Sequence, residues 1–391
     1  MHVIITIASL SRAGGGTSQA VASTATHLAR KKEMRVTLLT LADEQQATHE
    51  LREQPPNLTV RRIPTGGKPF GYVHHLRHFR QALQQELTAT TPTVVHDNGI
   101  WLPVNHIVAS ATQAAGVPRV VSTHGMLQPW ALGHRSWKKQ LAWYGYQRRD
   151  LHRARVLHAT AEGEAERLRQ MDFNQSIVVV PNGIEMPTTD SPVETPQKPN
   201  TRRTCLFLSR VHKVKGLVNL VDAWAQVRPA GWQVVIAGPD EDGHTNEIKA
   251  RVAEHQLGDV FSFVGPVEGE AKDTLFRTAD LFVLPSFSEN FGIVVAEALS
   301  YRVPVITTRG TPWAELETNA CGWWVDVGVE PLTEALREAL ATSPAEREAM
   351  GARGRALILD QYTWPQVARD MAAVYKWVLT GGPPPPSVTM H

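Results

Sequence analysis

Short, apolar, β-rich runs alternate with helical stretches along almost the whole chain. In the first half the runs are HVIITIA (2–8), RVTLLTL (35–41), LTVRRIP (58–64), TVVHD (93–97), RVVSTH (119–124), VLHAT (156–160) and SIVVVP (176–181). Helical stretches lie between them, for example 17–32 and 74–87. The pattern then breaks at MPTTDSPVETPQKPNTRR (186–203), which carries four prolines and almost nothing apolar. Such a composition reads as a linker or exposed loop. The alternation resumes with TCLFLSR (204–210), WQVVIAG (232–238), FSFVG (261–265), LFVLPS (281–286), VPVITT (303–308) and GWWVDV (322–327).

Strands that alternate with helices predict a parallel sheet covered on both faces. Two such series predict an α/β protein of two doubly wound, Rossmann-like domains facing across a cleft. The expected organisation is an N-terminal domain over 1–185, a linker over 186–203 and a second domain over 204–364. A helix over 365–380 is expected to pack back toward the first domain. The tail 381–391, GGPPPPSVTMH, is expected to be disordered or extended.

Length agrees, because 391 residues exceed what one hydrophobic core usually serves. A net charge of +2 excludes nucleic acid as a global partner. Two cysteines, Cys205 and Cys321, each in an apolar stretch, are expected as buried thiols rather than a disulfide framework. The apolar N-terminus lacks a basic leader region and reads as a buried strand. No run is long enough for a membrane helix, and a cytoplasmic location is expected.

In doubly wound sheets, ligands bind beyond the carboxyl ends of the strands, and three motifs stand there. Ser11 to Ser18, with Gly14, Gly15 and Gly16, follows the first strand and opens a helix, as a flexible turn or as an anion contact. LSRVHKVKGL (208–217) carries Arg210 and Lys215. The two cations suit a diphosphate that gains charge as a bond breaks; otherwise they are solvated surface charges. SENFGIVVAEALS (288–300) carries Glu289 and Glu297. With 289–297 mostly helical, the carboxylates stand ~12 Å apart. That exceeds the roughly 5–9.5 Å of paired glycosidase carboxylates and suits two ends of one extended ligand.

This arrangement resembles the retaining glycosyltransferases of family 4, with the GT-B fold. The resemblance covers nearly the whole chain and rests chiefly on the two glutamates spaced by seven residues around Phe291-Gly292, and on Arg210 with Lys215-Gly216. VVVPNGIE (178–185), FVGPV (263–267) and TPWAEL…CGWWV (311–325) support it. The last resembles a subgroup that builds bacterial surface polysaccharides.

The resemblance implies a donor that is a nucleoside diphosphate sugar, UDP- or GDP-linked, with no separate cofactor and no metal. Arg210 and Lys215 would bind its diphosphate, with Gly15 and Gly16 against it. Glu297 would accept from the ribose hydroxyls, and Pro266 and Val267 would border the base. Glu289, with the backbone of Asn290, Phe291 and Gly292, would hold the sugar and distal phosphate. His124 matches a histidine near the reactive centre, so the expected catalytic set is His124, Arg210, Lys215 and Glu289. His96, Asp97 and Trp101 are candidate contacts for a glycan or lipid-linked acceptor. Two other readings stand beside transfer: a sugar-nucleotide epimerase of GT-B shape, and a non-catalytic partner of an active transferase.

GPDEDGH (238–244) contains Asp240-Glu241-Asp242, formally the metal-binding DxD pattern, but its polar setting after a strand reads as a solvated loop. The segment 130–155 interleaves Arg135, Lys138, Lys139, Arg148, Arg149, Arg153 and Arg155 with aromatics. It suits either an anionic membrane surface at the inner face of the cytoplasmic membrane or a packed helix with basic edges, and the two can coexist.

Overall fold

The structure, a computed structural model, describes residues 1–11, 15–42, 53–65, 71–88, 91–133, 136–187 and 202–389. Arg12 to Gly14 of the glycine loop, Arg135 and positions 188–201 of the expected linker lie outside these. The chain divides into two compact units, Met1–Gly183 with Trp364–His391, and Ile184–Thr363.

The first unit is built on an eight-stranded sheet. Its strands are β1 (His2–Ser9), β2 (Arg35–Ala42), β3 (Leu58–Pro64), β4 (Thr93–Asn98), β5 (Arg119–Ser122), β6 (Val156–Ala159) and β7 (Ser176–Val179). A short strand from the chain's end, numbered β14 (Val388–Thr389), completes it; the order is β14-β7-β6-β5-β4-β1-β2-β3. Every pairing is parallel except that of β14 with β7, where Val388 faces Val178. The tail is therefore extended and paired over 388–389. Apolar runs with side chains inward on both faces fit such a sheet. Ile4, Leu39, Phe79, Val95 and Val108 form one core, and Val121, Leu157, Leu168 and Phe173 another. The helix Trp364–Thr380 belongs to this unit and buries Trp364, Val367, Met371 and Tyr375.

The second unit has six parallel strands, β8 (Arg203–Leu208), β9 (Trp232–Ala237), β10 (Phe261–Gly265), β11 (Leu281–Leu284), β12 (Val305–Thr308) and β13 (Gly322–Val325), ordered β10-β9-β8-β11-β12-β13. Its core includes Phe207, Trp224, Val283, Leu299 and Trp313. Cys205 and Cys321 are buried free thiols.

In both sheets the strand order reverses once, between β1 and β4 and between β8 and β11. Loops leaving two such strands run to opposite sides and open a crevice at the sheet's carboxyl edge. Arg210, Lys215 and Glu289 follow β8 and β11, and Gly15 and Gly16 follow β1, so five of the expected site residues meet a switch point.

Candidate active site

In the second unit, two loops are laced together at the switch point. Lys213–Lys215 form a single 3₁₀ turn after β8, with His212 Nδ1 accepting from Val214 N–H at 3.2 Å. Gly216 closes the turn at φ 68°, and a Cβ there would lie 2.0 Å from the Pro285 carbonyl oxygen. Only glycine lets the two backbones approach this closely. Phe287 N–H donates to the Val214 carbonyl at 2.8 Å, joining the β8 loop to the β11 loop.

This lacing sets Lys215 against Glu289. Lys215 Nζ donates to Glu289 Oε1, and Ser286 Oγ donates to the same oxygen at 2.7 Å. Both side chains are nearly buried, at 9% and 12% exposure. Glu289 N–H donates to the Gly310 carbonyl at 2.7 Å, which anchors the loop on the segment after β12. Arg210, half-exposed, is ion-paired with Glu241.

The helix Ile293–Ser300 begins later than a continuous 289–297 helix would. Its cap is Gly292 at φ 76°, so Glu289 to Phe291 are loop. Glu297 pairs with Lys272 Nζ at 2.7 Å. The two glutamates thus sit in separate ion pairs with different cations. Phe291 is buried; its ring packs on Trp313 and Tyr362, and its carbonyl accepts from Trp313 Nε1 at 2.6 Å. Its side chain is core, and only its backbone remains for a ligand. Pro266 is exposed and Val267 half-buried, on the turn between β10 and the helix Gly269–Thr278.

The DxD-like segment is engaged otherwise. Asp240 Oδ1 accepts from Thr245 N–H at 2.8 Å and from its hydroxyl at 2.7 Å, securing the start of helix His244–Glu254. Glu241 holds Arg210. Among the described residues no group of three His, Cys, Asp or Glu side chains converges as a metal site requires.

In the first unit, Gly15 and Gly16 open the helix Gly15–Ala29, which Ser18 Oγ ties to the Ser9 carbonyl at 3.1 Å. His124 lies just beyond β5 at φ 48°, half-buried, with Nε2 3.0 Å from Asn98 Oδ1. Burial outweighs the upward pull of Glu164 and, with the added effect of His158, lowers its pKa to about 4.

Glu164 is a residue that the motifs did not reveal. Its Oε1 accepts from Thr123 Oγ1 and Gly125 N–H, both at 2.6 Å, and its Oε2 accepts from Thr160 N–H at 2.9 Å. The buried carboxylate clamps both neighbours of His124. In sequence it is one more acidic residue in the first turn of a helix, where such residues are common.

His96 and Asp97 differ from expectation. Both lie inside β4, which runs on to Asn98, rather than at its end, and both are buried and partnered. Asp97 accepts from Thr6 Oγ1 at 2.9 Å, Asn105 Nδ2 at 3.0 Å and Arg119 Nη1 at 3.3 Å, and burial raises its pKa to about 6. His96 belongs to a chain of hydrogen bonds with Tyr375 Oη (2.6 Å), Ser122 Oγ (2.6 Å) and, beyond it, His158 Nδ1 (2.6 Å). His158 Nε2 donates to the Val180 carbonyl at 2.8 Å. Since that carbonyl can only accept, neutral rings impose one direction: Tyr375 donates to His96, His96 to Ser122, and Ser122 to His158. These side chains bind the C-terminal helix to the sheet. Trp101, at φ 79°, is fixed by Gln147 Oε1 on its N–H (2.7 Å) and by Tyr146 Oη on its carbonyl (2.5 Å).

The segment 130–155 divides by face. Leu151, Gln147 and Asp150 are buried, whereas Trp137, Leu141 and Tyr144 are 63%, 67% and 83% exposed. Lys138 sits 5.4 Å from the Trp137 ring, and Arg148, Arg149, Arg153 and Arg155 are exposed. No helix among the described residues is long and apolar enough to cross a membrane.

Comparison with known proteins accords with this anatomy. The family described as glycosyl transferase 4-like domain matches residues 15–183, and that described as glycosyl transferases group 1 matches 192–357. A D-inositol 3-phosphate glycosyltransferase of Arthrobacter sp. (strain FB24) is 30% identical over 217 residues, which is 50% of this chain and 49% of the relative. The chain thus spans about half the length of that relative. Sucrose-phosphate synthase from Thermosynechococcus elongatus superposes with a TM-score of 0.78 at 19% identity, covering 98% of this chain and all of the other. Anabaena HepE, in complex with UDP and glucose, gives 0.72 at 16% identity over 95% and 98%. At these identities the likeness concerns the fold, which is GT-B. Between them the two family matches take in most of the chain, and the protein belongs to the glycosyltransferases of the family 4 type.

Proposed function

We propose that the chain is a retaining, metal-independent hexosyltransferase. It moves a hexose from a nucleoside diphosphate sugar to a hydroxyl of a glycan or glycolipid acceptor, in the synthesis of a bacterial surface polysaccharide such as lipopolysaccharide. The observation that carries this reading is the meeting of Lys215 and Glu289 at the β8/β11 switch point, with Arg210 on the same loop as Lys215.

In this reading the donor diphosphate lies against Arg210 and Lys215 and the first N–H groups of helix Ile293–Ser300, where cations and helix dipole offset its charge. Glu297 accepts from the ribose, and Glu289 orients the hexose. The bond from the anomeric carbon to the diphosphate oxygen breaks, and the acceptor oxygen bonds to that carbon on the same face. The acceptor's proton passes to the departing diphosphate, whose added charge the two cations stabilise. Metal independence is supported by the engagement of Asp240 with Thr245 and of Glu241 with Arg210. Retention rests on family membership. Anabaena HepE, with UDP and glucose bound, supports a nucleotide-sugar donor by its shared fold. The exposed Trp137, Leu141 and Tyr144 beside basic residues support peripheral contact with an anionic membrane, and with it a cytoplasmic location at the membrane's inner face.

A thermal-shift screen of UDP-, GDP- and ADP-sugars identifies the donor. Acceptor-dependent release of the nucleoside diphosphate, undiminished by EDTA, and an α-linked product from an α-donor by NMR are the expected results. A strict Mg²⁺ or Mn²⁺ requirement, or a β-linkage, overturns the mechanism. Conversion of the sugar nucleotide without an acceptor replaces it with epimerisation, and no turnover of any donor leaves a non-catalytic partner.

A further inference from the structure

Glu297 is held asymmetrically. Its Oε1 receives Lys272 Nζ at 2.7 Å, whereas its Oε2 is buried without a hydrogen-bond partner among the described residues. A buried carboxylate oxygen without a donor is uncommon in a folded protein and calls for an explanation. An absent ligand donor supplies one.

Lys272 comes from the helix Gly269–Thr278, which follows the Pro266–Val267 turn, and the pair is only 23% and 15% exposed. Its ammonium lies 5.9 Å from the Phe276 ring, and Phe276 stacks on Tyr301 at 5.3 Å, one helical turn after Glu297. The lysine is thus seated on a packed aromatic pair. From this seat it fixes the rotation of the Glu297 carboxylate and leaves the other oxygen without a partner.

We propose that Lys272 is a positioning residue for nucleotide recognition: it locks Glu297 so that the unpaired Oε2 accepts a ribose hydroxyl of the donor. The inference rests on the reading of Glu297 given above. Lys272 itself need not touch the nucleotide. Its contribution is preorganisation, because a carboxylate already held in one rotamer loses less freedom on binding. Without Lys272 the carboxylate turns freely toward water, and selectivity for the ribose hydroxyls falls.

The test compares UDP with 2′-deoxy-UDP and 3′-deoxy-UDP, and GDP with its 2′- and 3′-deoxy forms, by calorimetric titration of the full chain. Wild type is expected to favour the ribonucleotide over at least one deoxy form by about tenfold or more, the value of a hydrogen bond to a charged acceptor. Lys272→Met should bring that ratio close to one while deoxynucleotide affinity changes little, and Lys272→Arg should restore most of it. In the Glu297→Gln background, Lys272→Met should add nothing further. Equal weakening of both nucleotides, or an unchanged ratio in Lys272→Met, overturns the proposal. The Glu297→Gln arm separates the two ideas. If that variant retains the wild-type ratio, or wild type has no preference, Glu297 is not the ribose acceptor and the underlying reading falls as well. If only Lys272→Met retains it, the positioning role alone falls.

Discussion

Lys215 and Glu289, 74 residues apart in sequence, form a nearly buried ion pair joining the loop after β8 to the loop after β11. The glutamate therefore stands at the diphosphate end of the proposed donor as well as at its sugar end. The pair joins the diphosphate role that the resemblance implies for Lys215 to the sugar and distal-phosphate role that it implies for Glu289.

Glu289→Gln keeps acceptor capacity for Lys215 and Ser286 but removes the charge opposed to Lys215. Affinity for the bare nucleoside diphosphate should stay level or rise a few-fold, since Lys215 then offers its full charge to phosphate. Turnover should drop by about two orders of magnitude, or ~2.7 kcal/mol, as the hexose loses its fixed orientation. Calorimetry with UDP or GDP and a turnover assay supply both values. A parallel loss of nucleotide affinity would mean that Glu289 chiefly holds the Lys215 loop.

Arg210 is half-exposed and paired with Glu241, whose charge competes with that of a diphosphate for this arginine. Glu241→Gln should tighten nucleoside diphosphate binding about two- to fivefold at low salt, the scale of an exposed pair. The gain should shrink in 0.5 M salt as screening weakens the original contact. Weaker binding in the variant would show that Glu241 orients Arg210 rather than competing for it.

The buried histidine chain makes stability depend on acidity. Burial lowers the pKa of His96 and His158, each lowered further or opposed by nearby groups, and holds His124 at about 4. The unfolded chain takes up these protons from about pH 6.5 downward, while the folded chain resists them. The histidines' contribution is therefore complete above about 6.5 and is lost as pH falls toward 4. Asp97, raised to about 6, acts in the opposite sense: its contribution is complete below about 3.8 and lost as pH rises through 6. These three histidines act together with His2, which burial likewise lowers to about 4, and the four outweigh Asp97 to give a net fall in melting temperature from pH 7 to pH 5. His158→Gln, whose amide can still accept from Ser122 and donate to the Val180 carbonyl, should flatten that slope in a pH series of thermal melts. An unchanged slope would remove His158 from the account.

The Trp137, Leu141 and Tyr144 face should carry the protein with vesicles containing phosphatidylglycerol in a flotation assay, and not with neutral vesicles. Changing all three to Ser should abolish flotation, and changing Lys138, Arg148 and Arg149 to Ser should weaken it in a salt-dependent way. Flotation that survives both sets of changes would move the contact elsewhere.

The two doubly wound sheets follow from the sequence by itself, because strand and helix periodicity is a local signal that hydrophobic burial enforces on each element. The positions of Arg210, Lys215, Glu289 and Glu297 after strands were legible for the same reason, and Gly216 and Gly292 stand where the backbone has positive φ. Partnership was not legible. Lys215 meets Glu289 because β8 lies beside β11, an order set by long-range packing that no local pattern encodes. Lys272 on Glu297, Glu241 on Arg210 and Glu164 beneath His124 are likewise contacts between elements distant in sequence. His96 read as the polar end of a strand, yet β4 continues to Asn98 and is covered on both faces, so the imidazole had to find its partners inside. Periodicity fixes which residues form a strand; only the packed sheet decides which side chains water can reach, because that depends on what the rest of the chain lays over them.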